Sequence, residues 1–112
     1  MKDTPLDLLK GTLDVLILKT LSREPMHGYG ISRYLREATD EAFQVQEGAL
    51  YPALRRLEER GLLSAHWETT DTGRQAKVYA LTPAGVQELR RGISSWQGYV
   101  DAMARVLGGA RA

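Results

Sequence analysis

Apolar residues along this chain recur mainly at intervals of three and four, the spacing that places them on one face of an α-helix. The first such stretch begins after Thr4 and Pro5, a capping residue and a proline that suit a first helical turn, and it ends before Pro25. Other apolar residues, such as Val15, fall on the opposite side, so we expect this helix to pack against two partners. Its main apolar positions are Leu6, Leu9, Leu13, Leu16, Ile17 and Leu21.

Two more helices are predicted before the middle of the chain. The first covers residues 27–38 and is weak, because Gly28 and Gly30 each disfavour a helix by about 1 kcal/mol relative to alanine. We interpret these glycines as positions where a neighbouring backbone approaches closely. After a connector, residues 47–61 (EGALYPALRRLEERG) predict the third helix, which ends at Gly61, a residue type favoured just beyond a helix C-terminus.

A β-hairpin and a long helix complete the predicted order of elements. Residues 62–67 and 76–81 are β-prone and flank the polar stretch ETTDTGRQ, which predicts a hairpin with an exposed tip. Thr82 and Pro83 then repeat the capping signal and open the last helix. Its apolar residues alternate steps of three and four over three heptads, as in a coiled coil. We call them the heptad stripe: Val86, Leu89, Ile93, Trp96, Val100, Met103 and Leu107.

The order helix, helix, helix, hairpin, long helix is that of a winged helix-turn-helix. The predicted fold class is therefore mainly α with a small β-hairpin, an N-terminal helix and a long C-terminal dimerisation helix. We assign residues 1–82 to the winged helix-turn-helix unit and residues 83–108 to the dimerisation helix, both within one compact unit. Residues 109–112, after the helix-ending glycines, are predicted to be a frayed tail.

Composition narrows the classes of function. A chain of 112 residues has room for one domain, and without cysteine it has neither disulfides nor thiolate chemistry. No run approaches the ~20 apolar residues of a membrane span, and no secretory signal is visible, so we predict a soluble cytoplasmic protein without membrane contact. Paired carboxylates, metal-ligand spacing, a phosphate-binding glycine loop and a nucleophile with a base are all absent from the sequence. We therefore predict no enzymatic activity, no cofactor and no metal.

The polar face of the third helix carries the candidate chemistry. Because the net charge is only +1, DNA binding has to be argued from where the charges lie. Leu50, Leu54 and Leu57 define the core side, and the remaining positions face away from it or flank it. In a winged helix-turn-helix this helix enters the major groove. The predicted contacts to double-stranded DNA on this helix are Gly48, Ala49, Tyr51, Pro52, Arg55 and Arg56.

Each of these side chains suggests a particular contact. The small residues at the helix start let the backbone approach DNA, and the Arg55 guanidinium matches guanine O6 and N7. Arg56 is assigned a phosphate or mixed contact, and the Tyr51 hydroxyl a phosphate contact. The alternative is a solvated surface, since Glu58 and Glu59 lie on the same helix and a tyrosine beside leucines is often plain core.

The hairpin and the histidines add fewer candidates. Arg74 at the hairpin tip and Lys77 just beyond it are predicted to contact the DNA backbone or the adjacent minor groove. A solvated turn is the alternative, because Asp71 lies in the same loop. His27 has only His66 as a possible second imidazole ligand, which favours a structural role at the start of the second helix.

The heptad stripe predicts the partner of the last helix. A self-complementary apolar stripe favours a twofold homodimer, and two recognition helices in a dimer predict a palindromic site with half-sites about one helical turn, or a multiple of it, apart. Packing of the stripe against the first helix of the same chain is the alternative, and the two are compatible.

Four stretches together resemble the PadR family of bacterial transcriptional regulators: LLKGTLDVLILKTL, MHGYGI, EGALYPALRRLEERGLL and GRQAKVYALTPAG, within residues 6–90. The resemblance implies a winged helix-turn-helix dimer joined through its C-terminal helix, which usually represses nearby genes and is released by a phenolic, aromatic or lipophilic molecule. It also implies that Tyr51 and the start of the third helix contact DNA and that Arg74 belongs to a basic wing. This wing departs from the family pattern, because Gln75, Ala76 and Ala80 stand where basic residues are frequent.

The family resemblance extends to a single helix after LTPAG, which is typical of its short-tailed branch. Trp96 matches a tryptophan of that helix, and in drug-responsive relatives such residues line an apolar pocket between subunits. We therefore predict an effector pocket at Trp96, Tyr99 and Met103, with simple packing in the heptad stripe as the alternative. A winged-helix module that binds a protein partner, and a repressor that senses no small molecule, remain competing hypotheses for the whole chain.

Overall fold

The computed structural model describes residues 11–108 and has the predicted winged-helix order. Its four helices and three strands are α1 (Thr12–Leu21), β1 (Met26–His27), α2 (Gly28–Ala38), α3 (Glu47–Glu59), β2 (Leu63–Thr69), β3 (Gln75–Leu81) and α4 (Pro83–Leu107). This architecture confirms the predicted winged-helix fold class, mainly α with a small β-sheet, whereas dimerisation through α4 stays a prediction. The predicted helix start at Thr4 and Pro5 and the predicted tail at residues 109–112 lie outside the described residues.

The small sheet holds one strand more than the sequence predicted. Strand order is β1-β3-β2, with both pairs antiparallel. The two-residue strand β1 pairs Met26 with Tyr79 and His27 with Val78, so the second helix begins one residue later than predicted, at Gly28. β1 connects the start of α2 to the hairpin formed by β2 and β3, and this hairpin is the wing of the fold.

The core is built around α3. Its inner face carries Leu50, Ala53, Leu54 and Leu57, each 1% exposed or less, and it packs with apolar residues of α1, α2 and β2. After α3, the Gly61 N–H donates to the Glu58 carbonyl at 2.9 Å and the Leu62 N–H to the Leu57 carbonyl at 3.0 Å. These two bonds form a Schellman motif, and Gly61 supplies the positive φ of 77° that the motif requires. The predicted glycine stop of this helix is thereby confirmed.

The first turn of α4 is attached to the end of α3 by Thr82. The Thr82 hydroxyl accepts the Gly85 N–H at 3.0 Å, as a helix N-cap, and donates to the Gly61 carbonyl at 2.7 Å. Gly85 is buried here, and a Cβ at this position would collide with the Leu62 carbonyl oxygen and lie 2.6 Å from Leu81 Cδ1. The absence of a side chain at Gly85 therefore allows the first turn of α4 to lie directly against the Leu62 carbonyl and the Leu81 side chain.

α1 packs against several elements, as its apolar residues on both sides predicted. It contacts α2 and α3, and also α4, where a Cβ at Gly92 would lie 2.8 Å from Val15 Cγ2. Among residues 11–108, no helix combines the length and the apolar character needed to cross a bilayer.

Two glycines of α4 provide a matched test of this packing. Gly85→Ala is expected to lower the free energy of unfolding by about 1–3 kcal/mol, because the new methyl overpacks a closed contact. Gly98→Ala, in the same helix but with no atom within 4 Å of the added Cβ, is expected to raise it by up to about 1 kcal/mol through helix propensity. Chemical denaturation at a fixed protein concentration measures both. Equal effects at the two positions would contradict the close approach at Gly85.

Candidate nucleic-acid interface

The face of α3 opposite the core carries small residues, one arginine and, in the last turn, Glu59. Gly48, Ala49, Pro52 and Arg55 are all exposed, and the helix extends through Pro52, which has no N–H for the Gly48 carbonyl. Within residues 11–108 the Arg55 guanidinium has no ion-pair partner. The start and middle of this face therefore carry little steric bulk around the Arg55 guanidinium, which is available as a hydrogen-bond donor.

Arg56, next in the chain, is held by α1. Its Nη2 lies 2.8 Å from Asp14 Oδ1, across 42 positions of sequence. The guanidinium is more than half exposed, so this ion pair contributes little stability. It does fix the direction of the side chain, and a phosphate contact by Arg56 has to compete with the Asp14 carboxylate.

Lys77 likewise faces another part of the protein. Its ammonium is 3.1 Å from Glu58 Oε1 on α3 and 5.6 Å from the ring centroid of Tyr79. Burial of the Tyr79 ring raises the pKa of its hydroxyl. Lys77 thus connects the wing to the C-terminal half of α3. The predicted contact of its ammonium with the DNA backbone has to compete with the Glu58 carboxylate.

Tyr51 lies against the first residue of α2. A Cβ at Gly28 would be 2.5 Å from Tyr51 Oη and 2.7 Å from two of its ring carbons, whereas 39% of the tyrosine stays exposed. Our interpretation of Gly28 was wrong in one respect, since a side chain and not a backbone approaches it. A Cβ at Gly30 would meet only ordinary contacts, at 3.6 Å or more.

His27 has the structural role that the sequence favoured. Its Nδ1 accepts the Gly30 N–H at 3.1 Å and so caps the N-terminus of α2. This bond requires an unprotonated Nδ1. His27 therefore sets the start of α2, directly beside the glycine that receives the Tyr51 ring.

Arg74 is exposed at the tip of the wing, as predicted. The turn is closed by the Thr70 N–H, which donates to the Arg74 carbonyl at 2.7 Å, and by the Arg74 N–H, which donates to Thr70 Oγ1 at 3.2 Å. Gly73 supplies the positive φ of 84°. Within the described part of the chain the Arg74 guanidinium has no ion-pair partner.

An open cleft of about 680 Å³ lies between the wing and the helices, and we call it the wing cleft. It brings together three predicted site residues, Tyr51, Arg74 and Lys77. It also contains Tyr29 and Trp67, each 63% exposed, which the sequence analysis missed. A signal for Trp67 was available, because it continues the alternation of Leu63 and Ala65 along β2. The complete lining is His27, Gly28, Tyr29, Tyr51, Trp67, Thr70, Thr72, Arg74, Gln75, Ala76, Lys77 and Tyr79.

A second, smaller groove of about 440 Å³ runs between α1 and α4. Trp96 and Tyr99 line it with their rings stacked, at a centroid distance of 5.6 Å and an angle of 25°. Val15 and Gly92 form part of its floor. Met103, the third residue predicted for an effector pocket, does not line this groove.

These elements define a protein class. A helix with one buried apolar face and an outer face of small residues around Arg55 lies beside an antiparallel wing with Arg74 at its tip, which is the arrangement of a winged helix-turn-helix. The Transcriptional regulator PadR-like family model matches residues 17–91. The chain therefore belongs to the PadR-like family of transcriptional regulators, as its sequence motifs indicated.

Individual relatives agree with this assignment. The transcriptional regulator Rv3488 of Mycobacterium tuberculosis is 35% identical over 94 residues, which cover 83% of this chain and 80% of the relative. The negative transcriptional regulator PadR of Bacillus subtilis is 30% identical over 77 residues, 69% of this chain and 42% of the relative. The structure of a transcriptional regulator from Clostridium thermocellum superposes with a TM-score of 0.80 at 28% identity, covering 86% of this chain and 93% of that one.

Membership of the family has two direct consequences. Its members and these relatives are transcriptional regulators and not enzymes, which confirms the prediction of no enzymatic activity. DNA binding is implied for the chain by this membership.

Gly28 and Gly30 allow a test of the Tyr51 position. Gly28→Ala is expected to have a free energy of unfolding about 1 kcal/mol below that of Gly30→Ala, since the methyl displaces the end of the partly exposed Tyr51 side chain. Gly30→Ala, two residues further along the same helix, has space for its methyl. It is expected to raise the free energy of unfolding by up to about 1 kcal/mol through helix propensity. Urea denaturation compares the two variants. Equal stability of the two variants would contradict a stabilising packing contact between Tyr51 and Gly28.

Proposed function

We propose that this protein is a transcriptional repressor that binds a palindromic operator as a homodimer and is released by a small planar aromatic or lipophilic molecule. The observation that supports this most strongly is the division of α3 into a fully buried leucine face and an outer face of small residues with an unpaired Arg55. Such a face suits close contact with base edges in the major groove.

The proposed DNA contacts follow from the directions of the side chains. Arg55 donates to guanine O6 and N7, while Gly48, Ala49 and Pro52 let α3 approach the bases closely. The Tyr51 hydroxyl donates to a phosphate at the edge of the groove, and Arg74 contacts the backbone or enters the minor groove beside the wing. Arg56 and Lys77 contact phosphates only when their ion pairs with Asp14 and Glu58 open.

Exposure of the heptad stripe supports the homodimer. Leu89 is buried within the chain, but the five stripe residues beyond it are 38–74% exposed. They are Ile93, Trp96, Val100, Met103 and Leu107. An apolar row of this length, along a helix that extends past the rest of the fold, suits burial against the same row of a second copy.

Repression is proposed from one relative, the Bacillus subtilis protein whose name describes it as a negative regulator. Release by an effector is proposed from the α1–α4 groove, where the stacked Trp96 and Tyr99 rings offer a flat apolar surface. Met103 stays in the proposal as a stripe residue that a partner chain would bring towards the groove. A winged-helix module for a protein partner is the competing function, and it predicts no salt-dependent DNA binding.

Arg55 tests the DNA contact. Arg55→Ala is expected to lower the free-energy preference for guanine over other bases by about 1–3 kcal/mol at one base pair of each half-site. The reason is that the bidentate contact to guanine is lost. Selection of bound duplexes from a randomised pool measures this preference. Arg105→Ala removes the same charge from α4, off the heptad stripe, and should leave the profile intact. An unchanged profile for Arg55→Ala would exclude this residue as a base contact.

Val100 tests the homodimer. Val100→Lys is expected to convert the dimer to a monomer, because each chain would bury a lysine in the apolar interface without a counter-charge. Ser94→Lys introduces the same charge on the same helix, off the heptad stripe, and should stay dimeric. Sedimentation velocity distinguishes the two states. A Val100→Lys protein that remains a dimer at low concentration would refute an interface through the heptad stripe.

A further inference from the structure

Trp67 occupies an unusual place on the wing. Register pairs Leu63 with Leu81, Ala65 with Tyr79 and Trp67 with Lys77, so these residues share one face of the sheet. Burial falls along this face from Leu63, which belongs to the core, to Trp67, which is 63% exposed. The tryptophan therefore extends the inner face of the sheet beyond the part that α3 covers, into the wing cleft.

The other walls of the cleft suit a polyanion with apolar segments. Tyr29 and Tyr51 face it from the helices, and Arg74 from the wing tip. Its lining contains Arg74 and Lys77 but no carboxylate. Lys77 is paired with Glu58, whereas the Arg74 guanidinium has no ion-pair partner among the described residues. Exposed aromatic surface beside such a charge is typical of a site that a partner covers.

The position of the cleft favours one occupant. It lies between α3, which the proposed function puts in the major groove, and the wing tip, which it puts at the adjacent minor groove. The strand of DNA that separates two such grooves has to pass between these elements. Its deoxyribose rings match an aromatic face, and its phosphates match an indole N–H, a phenol and a guanidinium.

We infer that the wing cleft holds the sugar–phosphate backbone of one DNA strand and that Trp67 contacts it directly, its ring against deoxyribose and its indole N–H donating to a phosphate. This inference rests on the proposed DNA binding. A small aromatic ligand fits the cleft less well, because such ligands bind in pockets that enclose most of their surface, and this cleft is open to solvent along its length.

The first test measures binding of full-length protein to a fluorescent 30-base-pair duplex of arbitrary sequence over a series of salt concentrations. Trp67→Ala is expected to weaken binding about tenfold, the effect of losing one charged hydrogen bond with its ring contact. The slope of log K against log salt stays unchanged, because no charge is removed. Arg74→Ala is expected to reduce that slope by about one.

His66→Ala is the matched control, because His66 is the neighbouring residue on the opposite face of β2, and its affinity should stay within about twofold of wild type. If wild type binds duplex and Trp67→Ala binds equally well, the inference fails while the proposed function stands. If Trp67→Ala lowers affinity and slope together, Trp67 only positions Arg74, and the direct contact is refuted. If wild type binds no duplex at any salt concentration, the proposed function itself fails.

A second readout follows Trp67 itself. The chain has two tryptophans, so Trp96→Phe leaves Trp67 as the only indole. Its fluorescence should be strongly quenched by acrylamide in the free protein and several-fold less in the presence of saturating duplex. Equal quenching in both states would overturn the inference, because a ring packed against deoxyribose is shielded from the quencher.

Discussion

The structure depends first on burial of the inner face of α3. Leu50, Leu54 and Leu57 are at the centre of the core, and Ala53 completes a face that is at most 1% exposed. Turning the helix by one position would bring a charged or polar side chain inside and expose a leucine, a change of several kcal/mol. The rotation of α3 is therefore fixed by packing, and with it the set of residues that face outward. Arg55 is a candidate base contact because three leucines hold the opposite side of its helix.

Ion pairs connect α3 and the residue that follows it to α1, the wing and α4. Arg56 reaches Asp14 on α1, Lys77 of the wing reaches Glu58, and Arg60 lies 3.6 Å from Glu88 on α4. Each contributes little stability at this exposure. Their effect is on the side chains, since each holds a cationic group beside a carboxylate of another element. Arg56 and Lys77, which the sequence predicts as DNA contacts, are therefore each paired with a carboxylate of the protein itself.

The elements with strong local signals could be predicted from the sequence, and the contacts across the fold could not. Apolar spacing and caps predicted α2, α3, the hairpin and α4 to within a few residues, and Thr82 and Gly61 act as expected. Strand β1 was missed because two residues carry no periodicity. The ion pair of Arg56 was missed because its partner is 42 positions away. Gly28 was explained incompletely because the Tyr51 ring reaches it only in the folded chain.

The central claim is that the outer face of α3 lies in the major groove of DNA, with two copies one helical turn or a multiple of it apart. Because the chain has no cysteine, Ala49→Cys provides a single attachment point for an iron chelate that cleaves DNA locally. We expect two clusters of cuts on the selected operator, related by its twofold axis and located in the major groove of each half-site. Uniform cleavage at background level, with the duplex fully bound, would contradict it.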